Sequence, residues 1–481
     1  MPWKHPLRYV VVALFALVAT ACARDATSPS APPGPRLAVG AAGGAYIVLF
    51  NGNGVPADLG ARVQALGGAV QYTHAGAGLA VVSGLTAQAA AALAKTSGVA
   101  TVEPDVEIAL DDRPGVPEAV PLDAAQSVAN PAGALLFSRQ WDMRDILAPA
   151  AWSAGKLGSS GVTVAILDTG LDYDDLDLNG LVDLSRSTSF IASDNTLTAT
   201  FFPTRNPVND YNGHGTNVAA TVSSTAFVFA GVTSKTRLMG VKVLGASGRS
   251  AGSSVLEGVL YAADHGADVA NMSLGGGFAK AALGQAVASV NRVFNYANSK
   301  GMLIVVAAGN SSADLDHDGN TFSDFCSAPH VICVSANGAL TAADLGTPAQ
   351  DVPAFYTNFG RSAISVAAPG GNATLDAAGH VVFASWVWSL CAKFTLAGFT
   401  TAGAPILAGC QSGNFITGFI GTSQATPHVA GLAALMVDKL GHGQPQLIKQ
   451  AILQSADDLG QPGTDPFYGR GRINVARALG L

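Results

Sequence analysis

Residues 421–431 read Gly-Thr-Ser-Gln-Ala-Thr-Pro-His-Val-Ala-Gly, and an apolar run follows them at residues 432–437. This pattern predicts a buried helix with Ser423 at or beside its first turn. Backbone N–H groups are free at that end of a helix and its dipole is positive there, so negative charge next to the Ser423 hydroxyl would be stabilised. Because an isolated serine is a weak nucleophile, catalysis would also require a base and a group that orients the base.

Two other segments supply these groups. An apolar run of strand length at residues 162–167 ends in Asp168, and His214 stands between two glycines just before a helical segment at residues 217–222. In an Asp-His-Ser triad the histidine takes the hydroxyl proton, and the carboxylate holds the imidazole in the required tautomer. Asp168, His214 and Ser423 are therefore candidates for such a triad.

A fourth segment, Ala-Ala-Gly-Asn at residues 307–310, follows a buried run at residues 303–306. With these four segments in this order, the chain resembles the subtilases, the subtilisin-like serine proteases. The resemblance implies a serine endopeptidase that works through an acyl-enzyme, with Asn310 as the oxyanion-hole donor and no cofactor required for chemistry. Two alternatives stay open: a catalytically silent peptide-binding protein of the same fold, and a lipid-tethered inhibitor of other proteases.

The resemblance also suggests where substrate binds. The segment Asn-Met-Ser-Leu-Gly-Gly-Gly at residues 271–277 resembles the family's substrate-binding edge, which would include Ser273, Leu274, Gly275 and Gly276. Gly248 is expected on the opposite edge. Glycines there would let an extended peptide approach the backbone and add as a strand, although either segment could instead be a plain turn. The expected substrates are unfolded or extended proteins, with an apolar side chain before the cut.

The composition is that of a large globular protein with a tightly turned core. Only 12% of the 481 residues are charged, 49% are apolar, and 56 are glycines. The net charge of −7 and the absence of a Lys/Arg cluster in the sequence argue against nucleic acid as a partner. We expect a monomer.

From residue 140 onward, short apolar runs alternate with helical patterns, which favours a mainly parallel sheet that is buried on both faces. In such sheets, sites form beyond the carboxyl ends of the strands. The resemblance implies the three-layer α/β fold of subtilisin for a protease domain at residues 139–481. The predicted strands lie at residues 162–167, 238–244, 269–274, 303–308, 331–335 and 364–368, and the predicted helices at 253–265, 283–299, 423–440 and 444–455.

Residues 45–110 have a separate pattern in the order β-α-β-β-α-β, which predicts a small ferredoxin-like α+β domain. Its position resembles that of the inhibitory propeptide of subtilases, which implies a folding assistant and an inhibitor in cis. An accessory domain that is never removed is the alternative. Residues 111–138 contain repeated prolines and little periodicity, so they are predicted to be a linker that contains the processing site.

The N-terminus has the features of an export signal. Lys4 and Arg8 precede an apolar stretch at residues 9–18, and small residues lead to Cys22. We predict a signal peptide at residues 1–22 and a flexible spacer at residues 23–44. Small residues before Cys22 resemble a bacterial lipoprotein box, although Ala19 stands where leucine is usual. Ordinary secretion and a cell-surface or outer-membrane lipoprotein, with a membrane contact only through Cys22, therefore both stay open.

Four cysteines remain beyond the export signal. We predict the disulfides Cys326–Cys333 and Cys391–Cys410, because each would close a short loop and an exported chain meets an oxidising compartment. Four buried free thiols are the alternative.

Residues 314–320, Asp-Leu-Asp-His-Asp-Gly-Asn, have the alternating carboxylates of a calcium loop. The candidate ligands are Asp314, Asp316, Asp318, Asn320 and Asp324. Position twelve is Phe325 and not glutamate, so a full EF-hand is unsupported and a solvated acidic turn competes with a structural calcium site. Asp177 matches a calcium-binding position of the family, but the companion loop is missing at residues 223–229.

Two features depart from the family pattern. Gln424 follows Ser423 where subtilases usually carry methionine, which predicts tolerance of mild peroxide. An insertion at residues 376–415 precedes Ser423 and contains two cysteines and two tryptophans. It is either a disulfide-stapled flap near the cleft or a surface loop.

Overall fold

The computed structural model describes residues 44–111, 115–275, 277–279, 286–317, 321–323, 325–408, 410 and 415–481. The predicted signal peptide, the spacer up to residue 43 and Cys22 lie outside the described residues. Among the helices that are described, none is long and apolar enough to cross a membrane.

Twenty-two strands and eleven α-helices are described. The strands are β1 (Tyr46–Phe50), β2 (Ala69–His74), β3 (Leu79–Ser83), β4 (Val99–Pro104), β5 (Glu107–Ala109), β6 (Val116–Ala119), β7 (Thr163–Asp168), β8 (Thr188–Ser189), β9 (Arg237–Lys242), β10 (Arg249–Ala251), β11 (Val269–Met272), β12 (Gly277–Ala279), β13 (Leu303–Ala307), β14 (Thr321–Ser323), β15 (Ile332–Asn337), β16 (Val366–Pro369), β17 (Thr374–Leu375), β18 (Val381–Val382), β19 (Val387–Leu390), β20 (Leu396–Phe399), β21 (Pro405–Leu407) and β22 (Phe415–Phe419). The helices are α1 (Leu59–Ala65), α2 (Ala87–Leu93), α3 (Trp141–Asp145), α4 (Ala148–Ser153), α5 (Ala192–Phe201), α6 (His214–Val222), α7 (Gly252–Asp264), α8 (Ala286–Ser299), α9 (Thr422–Leu440), α10 (Pro445–Ser455) and α11 (Val475–Leu479).

The main body is a seven-stranded parallel sheet in the order β16-β15-β13-β11-β7-β9-β8. Side chains alternate between its two faces, as the period of a strand requires. Val164 and Ile166 of β7 share a buried cluster with α6 and α9, whereas Ala165 and Leu167 share another with α7 and α8. Helices thus cover both faces of the sheet, and the predicted three-layer α/β fold is confirmed.

The N-terminal unit is an antiparallel sheet in the order β2-β3-β1-β4. Tyr46, Val48 and Phe50 pack with α1 and α2 on one face of this sheet. Ile47 and Leu49, which alternate with them, belong to the buried cluster that contains α7 and α8 of the main body. The described order of elements is the predicted one, and the unit rests on the main body through the sheet face that its own helices leave uncovered.

Two regions differ from the sequence-based expectations. The predicted linker contains a strand, β6, which pairs with β22 just before Ser423. The insertion is largely strands: β19 pairs with β22, and β20 with β21 forms a hairpin. Both depend on pairing between segments far apart in sequence, which local periodicity does not report.

Both predicted disulfides, Cys326–Cys333 and Cys391–Cys410, are present.

Candidate active site

Asp168 and His214 meet at the carboxyl end of the parallel sheet. Asp168 is the last residue of β7, and His214 is the first residue of α6. His214 Nδ1 lies 2.8 Å from Asp168 Oδ1, and both side chains are buried. Burial raises the pKa of the Asp168 carboxyl, while His214 and the backbone N–H of Thr169 oppose that increase. The carboxylate therefore fixes the imidazole so that Nε2 is the nitrogen left for proton transfer.

A buried network holds the turn that carries His214. Asp210 accepts backbone N–H bonds from Gly213 at 2.9 Å and Thr216 at 3.0 Å. Thr169 joins the two parts of the site, since its hydroxyl donates to Asp210 and accepts from the backbone N–H of Gly215. A β-carbon on Gly215 would lie 2.3 Å from the carbonyl oxygen of Gly170, so only glycine fits there. The imidazole position is thus set by backbone packing as well as by Asp168.

Ser423 is the second residue of α9, as predicted. Its hydroxyl donates to the carbonyl oxygen of Ser273 at 3.1 Å, and the Ser273 hydroxyl donates to the carbonyl oxygen of Ser423 at 2.7 Å. Pro427 lies four residues later in the helix and has no backbone N–H, so it cannot bond the Ser423 carbonyl in the helical pattern. The Ser273 hydroxyl occupies that acceptor, which ties the start of α9 to the end of β11.

Asn310 is oriented by the residue before the serine. Its Oδ1 accepts the Thr422 backbone N–H at 2.8 Å and the Thr422 hydroxyl at 2.9 Å. Because a backbone N–H can only donate, Oδ1 must face Thr422 and Nδ2 must point the other way. Nδ2 donates to the backbone carbonyl oxygen of Asp111 at 3.1 Å. The amide proposed for an oxyanion hole therefore already holds a peptide carbonyl.

Of the two predicted edges of the substrate cleft, the Gly248 edge is occupied by the chain itself. β5 pairs antiparallel with β10, and the Leu110 backbone N–H donates to the carbonyl oxygen of Gly248 at 2.9 Å. On the other side, Ser273, Leu274 and Gly275 follow β11 directly. Gly276 lies outside the described residues. Residues 107–111 thus lie along the Gly248 edge as an added strand, the binding mode expected for an extended peptide.

The insertion lies against the segment that carries His214. The backbone N–H of Leu396 donates to the carbonyl oxygen of Tyr211 at 2.9 Å, and that of Lys393 donates to the carboxylate of Asp172 at 2.9 Å. The disulfide between Cys391 and Cys410 closes the base of the β20–β21 hairpin. This geometry agrees with a stapled flap beside the cleft.

The calcium ligands are only partly described. Asp318, Asn320 and Asp324 lie outside the described residues. Asp314 accepts bonds from the Asp316 backbone N–H and from His317 Nδ1, and Asp316 accepts the Ser362 hydroxyl. Within the described ranges, no group of three or more His, Cys, Asp or Glu side chains could hold a metal ion. The two described carboxylates thus bind protein donors, and calcium here stays a prediction.

Asp177, at the family's other calcium position, has a different set of partners. Its carboxylate accepts the backbone N–H groups of Phe227, Val228 and Phe229 at 2.6–3.0 Å. Carboxylates that bind calcium usually do so together with backbone carbonyl oxygens. The Asp177 carboxylate instead faces N–H groups, whose positive ends would repel a cation. The residues around Asp177 therefore do not fit a calcium ion.

Several residues of the site were missed from the sequence. Thr169, Asp210 and Thr422 orient the proposed catalytic groups. Asn310 Nδ2 holds the carbonyl oxygen of Asp111, and the Ser311 hydroxyl donates to the Asp111 carboxylate. Asp210 stands three residues before Gly213, the N-cap of α6, so the usual capping pattern does not identify it. The other contacts join segments far apart in sequence.

The fold and the site are those expected of one class, the serine peptidases in which a serine stands at a helix start beside a parallel sheet. The family model described as Subtilase family matches residues 159–471. Thermitase from Thermoactinomyces vulgaris is 32% identical over 71% of this chain and 96% of its own length. Subtilisin BL from Lederbergia lenta is 32% identical over 70% of this chain and 97% of its own length. The chain therefore belongs to the subtilase family, and it is a serine-type endopeptidase.

Solved structures agree with this fold. The epidermin leader peptide processing serine protease (EpiP) from Staphylococcus aureus aligns with a TM-score of 0.65 at 22% identity, over 91% of this chain and 98% of that chain. Fervidolysin from Fervidobacterium pennivorans aligns with a TM-score of 0.64 at 21% identity, over 93% of this chain and 62% of that chain. Both alignments reach well beyond the part that the family model matches.

Proposed function

We propose that this subtilase is an exported endopeptidase that uses Asp168, His214 and Ser423 and matures by cutting its own chain. The observation that carries the proposal is the hydrogen bond from Asn310 Nδ2 to the backbone carbonyl oxygen of Asp111, made while Asn310 Oδ1 is held by Thr422 at the start of α9. A donor in that place binds the oxygen of the peptide bond that Ser423 would attack. The 2.8 Å pair of His214 and Asp168 supplies the base.

The chemistry follows from these positions. His214 Nε2 takes the Ser423 hydroxyl proton as the oxygen attacks the peptide carbonyl, and Asp168 stabilises the charged imidazole. The negative oxygen of the tetrahedral intermediate is stabilised by Asn310 Nδ2, the Ser423 backbone N–H and the positive end of α9. His214 then gives the proton to the leaving amine, and water releases the acyl group by the same steps in reverse.

The N-terminal unit would be the inhibitory propeptide of this precursor. Residues 45–110 cover α7 and α8, and their last strand, β5, lies along the Gly248 edge of the cleft. A segment that occupies the cleft excludes other substrates, so removal of the unit would release activity towards unfolded or extended proteins. Export by the signal at residues 1–22 brings the chain to an oxidising compartment, in agreement with its two disulfides. Lipidation of Cys22, calcium binding and a monomeric state stay predictions.

The test compares the exported protein with its Ser423→Ala variant, by intact mass and by casein hydrolysis on the same samples. We expect the unchanged protein to lose its N-terminal unit and to digest casein, and the variant to stay full length and inactive. Ser299→Ala, at the end of α8, is the control and should mature normally. If both the unchanged protein and the Ser423→Ala variant stay full length and inactive, the proposal fails and the silent peptide-binding protein takes its place.

A further inference from the structure

The segment between the N-terminal unit and the main body is bound along the cleft by backbone hydrogen bonds. The Gly252 N–H donates to the carbonyl oxygen of Val106 at 2.7 Å, β5 pairs with β10, and the Leu110 N–H donates to Gly248. Just upstream, the Asp105 carboxylate caps the start of α7 through the Ser253 N–H and hydroxyl. These contacts set the register of residues 105–110, and with it the residue that reaches Asn310.

That residue is Asp111. Its carbonyl oxygen is the acceptor of Asn310 Nδ2, and the oxygen in this position belongs to the peptide bond under attack. The chain is then held again on the far side, where β6 pairs with β22 and Gly115 lies directly against Phe419. Phe419 in turn makes an edge contact with the imidazole of His214. Asp111 therefore lies between two anchored stretches of chain, and its carbonyl oxygen is held by Asn310, which also bonds Thr422, the residue before the candidate nucleophile.

The Asp111 side chain has its own binding site. Its Oδ2 accepts the Asn310 backbone N–H at 3.0 Å and the Ser311 hydroxyl at 3.2 Å. Two donors on one carboxylate oxygen favour an ionised acidic group and give nothing to an apolar side chain. These contacts differ from the apolar preference that the sequence predicts.

We propose that the chain cuts itself between Asp111 and Asp112, and that Ser311 makes the site selective for an acidic side chain before the cut. The proposal rests on the proposed function of Ser423. The Ser423 oxygen forms an ester with the Asp111 carbonyl carbon as the bond to the Asp112 nitrogen breaks, and His214 transfers the serine proton to that nitrogen. Water then hydrolyses the ester, which leaves a carboxylate on Asp111 and restores the Ser423 hydroxyl.

The position of the cut is tested by intact mass during maturation of the full chain. We expect the first pair of products to end at Asp111 and to begin at Asp112. A different first cut in a protein that digests casein overturns this inference and leaves the proposed function standing. No cut and no casein hydrolysis overturn both.

The role of Ser311 is tested on the mature protease with a peptide of residues 105–116 and the same peptide carrying Asp111→Leu. For Ser311→Ala, we expect the ratio of kcat/KM for the aspartate peptide over the leucine peptide to fall about tenfold or more, as loss of a hydrogen bond to a charged group implies. Ser312→Ala is the matched control, because its hydroxyl donates to the Phe355 carbonyl oxygen. An unchanged ratio in Ser311→Ala overturns the assignment of Ser311.

Discussion

At the scale of single residues, Gln424 stands out because it directly follows Ser423 and its side-chain amide is buried. Its side chain is completely buried, and neither the amide oxygen nor the amide nitrogen has a hydrogen-bond partner in the part of the chain that the structure describes. Its backbone carbonyl accepts His428 Nδ1 at 2.8 Å, and His428 Nε2 lies 3.0 Å from the buried Asp142. His428 thus has the structural role predicted for it. For the Gln424 amide, no hydrogen bond within the described residues offsets the free-energy cost of its burial.

Replacing this amide by an apolar group of similar length should stabilise the protein. We expect Gln424→Met to raise the free energy of unfolding by about 1–3 kcal/mol, the usual cost of an unpaired buried polar group. Urea denaturation of the inactive Ser423→Ala background measures it. Gln140→Met is the matched control with the opposite sign, because the Gln140 amide makes two hydrogen bonds to Ala230. The added methionine should also make activity sensitive to peroxide. Equal stability of Gln424→Met and the parent would contradict the prediction.

At the scale of elements, β4 contacts α8 through the buried carboxyl group of Glu103, which accepts the Ser289 hydroxyl at 3.1 Å. Burial raises the pKa of Glu103 from 4.5 to about 7, against the opposing hydrogen bonds from Thr101 and Ser289. The pKa of Glu257 in α7 is also raised to about 7, by burial and then by the nearby Asp105. A carboxyl that binds its proton more tightly in the assembled protein than when exposed favours assembly at low pH. That contribution is complete below pH 4.5 and is lost as pH rises to about 7.

Release of the N-terminal unit after the cut should therefore become easier as pH rises. From the Glu103 shift alone, we expect the dissociation constant of the cut complex to increase on the order of 100-fold between pH 5 and pH 8. Gel filtration of the cut complex, blocked with a sulfonyl fluoride, measures the retained fraction at each pH. Glu103→Gln should retain the unit at pH 8 and show a flatter profile. Glu107→Gln, an exposed residue that pairs with Arg249, should behave as the parent does. A parent profile that is level between pH 5 and pH 8 would rule out this role for Glu103.

At the scale of the whole molecule, one largely enclosed guanidinium, that of Arg472, joins segments from both ends of the main body. Arg472 contacts Asp145 of α3, Asp351 and Asp457, each at 2.6 Å. Burial raises the pKa of Asp145 to about 7 and also raises that of Asp351, while Arg472 opposes both shifts. The cluster links the two ends of the main body. Asp145 lies before β7, the first strand of the parallel sheet in the sequence, and Arg472 lies between α10 and α11.

Removing the Arg472 cation should leave the carboxylates of Asp145, Asp351 and Asp457 without the positive charge that they share. We expect Arg472→Met to lower the free energy of unfolding by about 3–5 kcal/mol at pH 8, the range found when one partner of a buried ion pair is removed. The loss should shrink at pH 5, because Asp145 and Asp351 can then take up protons. Arg361→Met is the control, since Arg361 is exposed and donates to the Thr464 carbonyl oxygen. A loss that is equal at both pH values would show that packing, and not charge, holds the cluster.

The parts of the molecule that could be predicted from the sequence are those with a local signal. The strand before Asp168 and the helix after Ser423 are continuous apolar runs, so their type and position follow from periodicity. β6 could not be predicted, because its pairing with β22 joins segments at opposite ends of the protease chain. The acidic site at Ser311 was missed for a similar reason: it is formed only when Asp111 reaches it.

The two stretches that flank Asp111 have a consequence for the direction of the reaction. A cut after Asp111 leaves one new end bound through β5 to β10 and the other through β6 to β22. Two ends that these strands keep on one molecule behave as reactants at a high effective concentration, so the amine of Asp112 would compete with water for the ester on Ser423. Hydrolysis would therefore stay reversible until one end leaves, and the chain would exist as an equilibrium of joined and severed forms. Departure of a strand, and not the breaking of the bond, would then make maturation permanent.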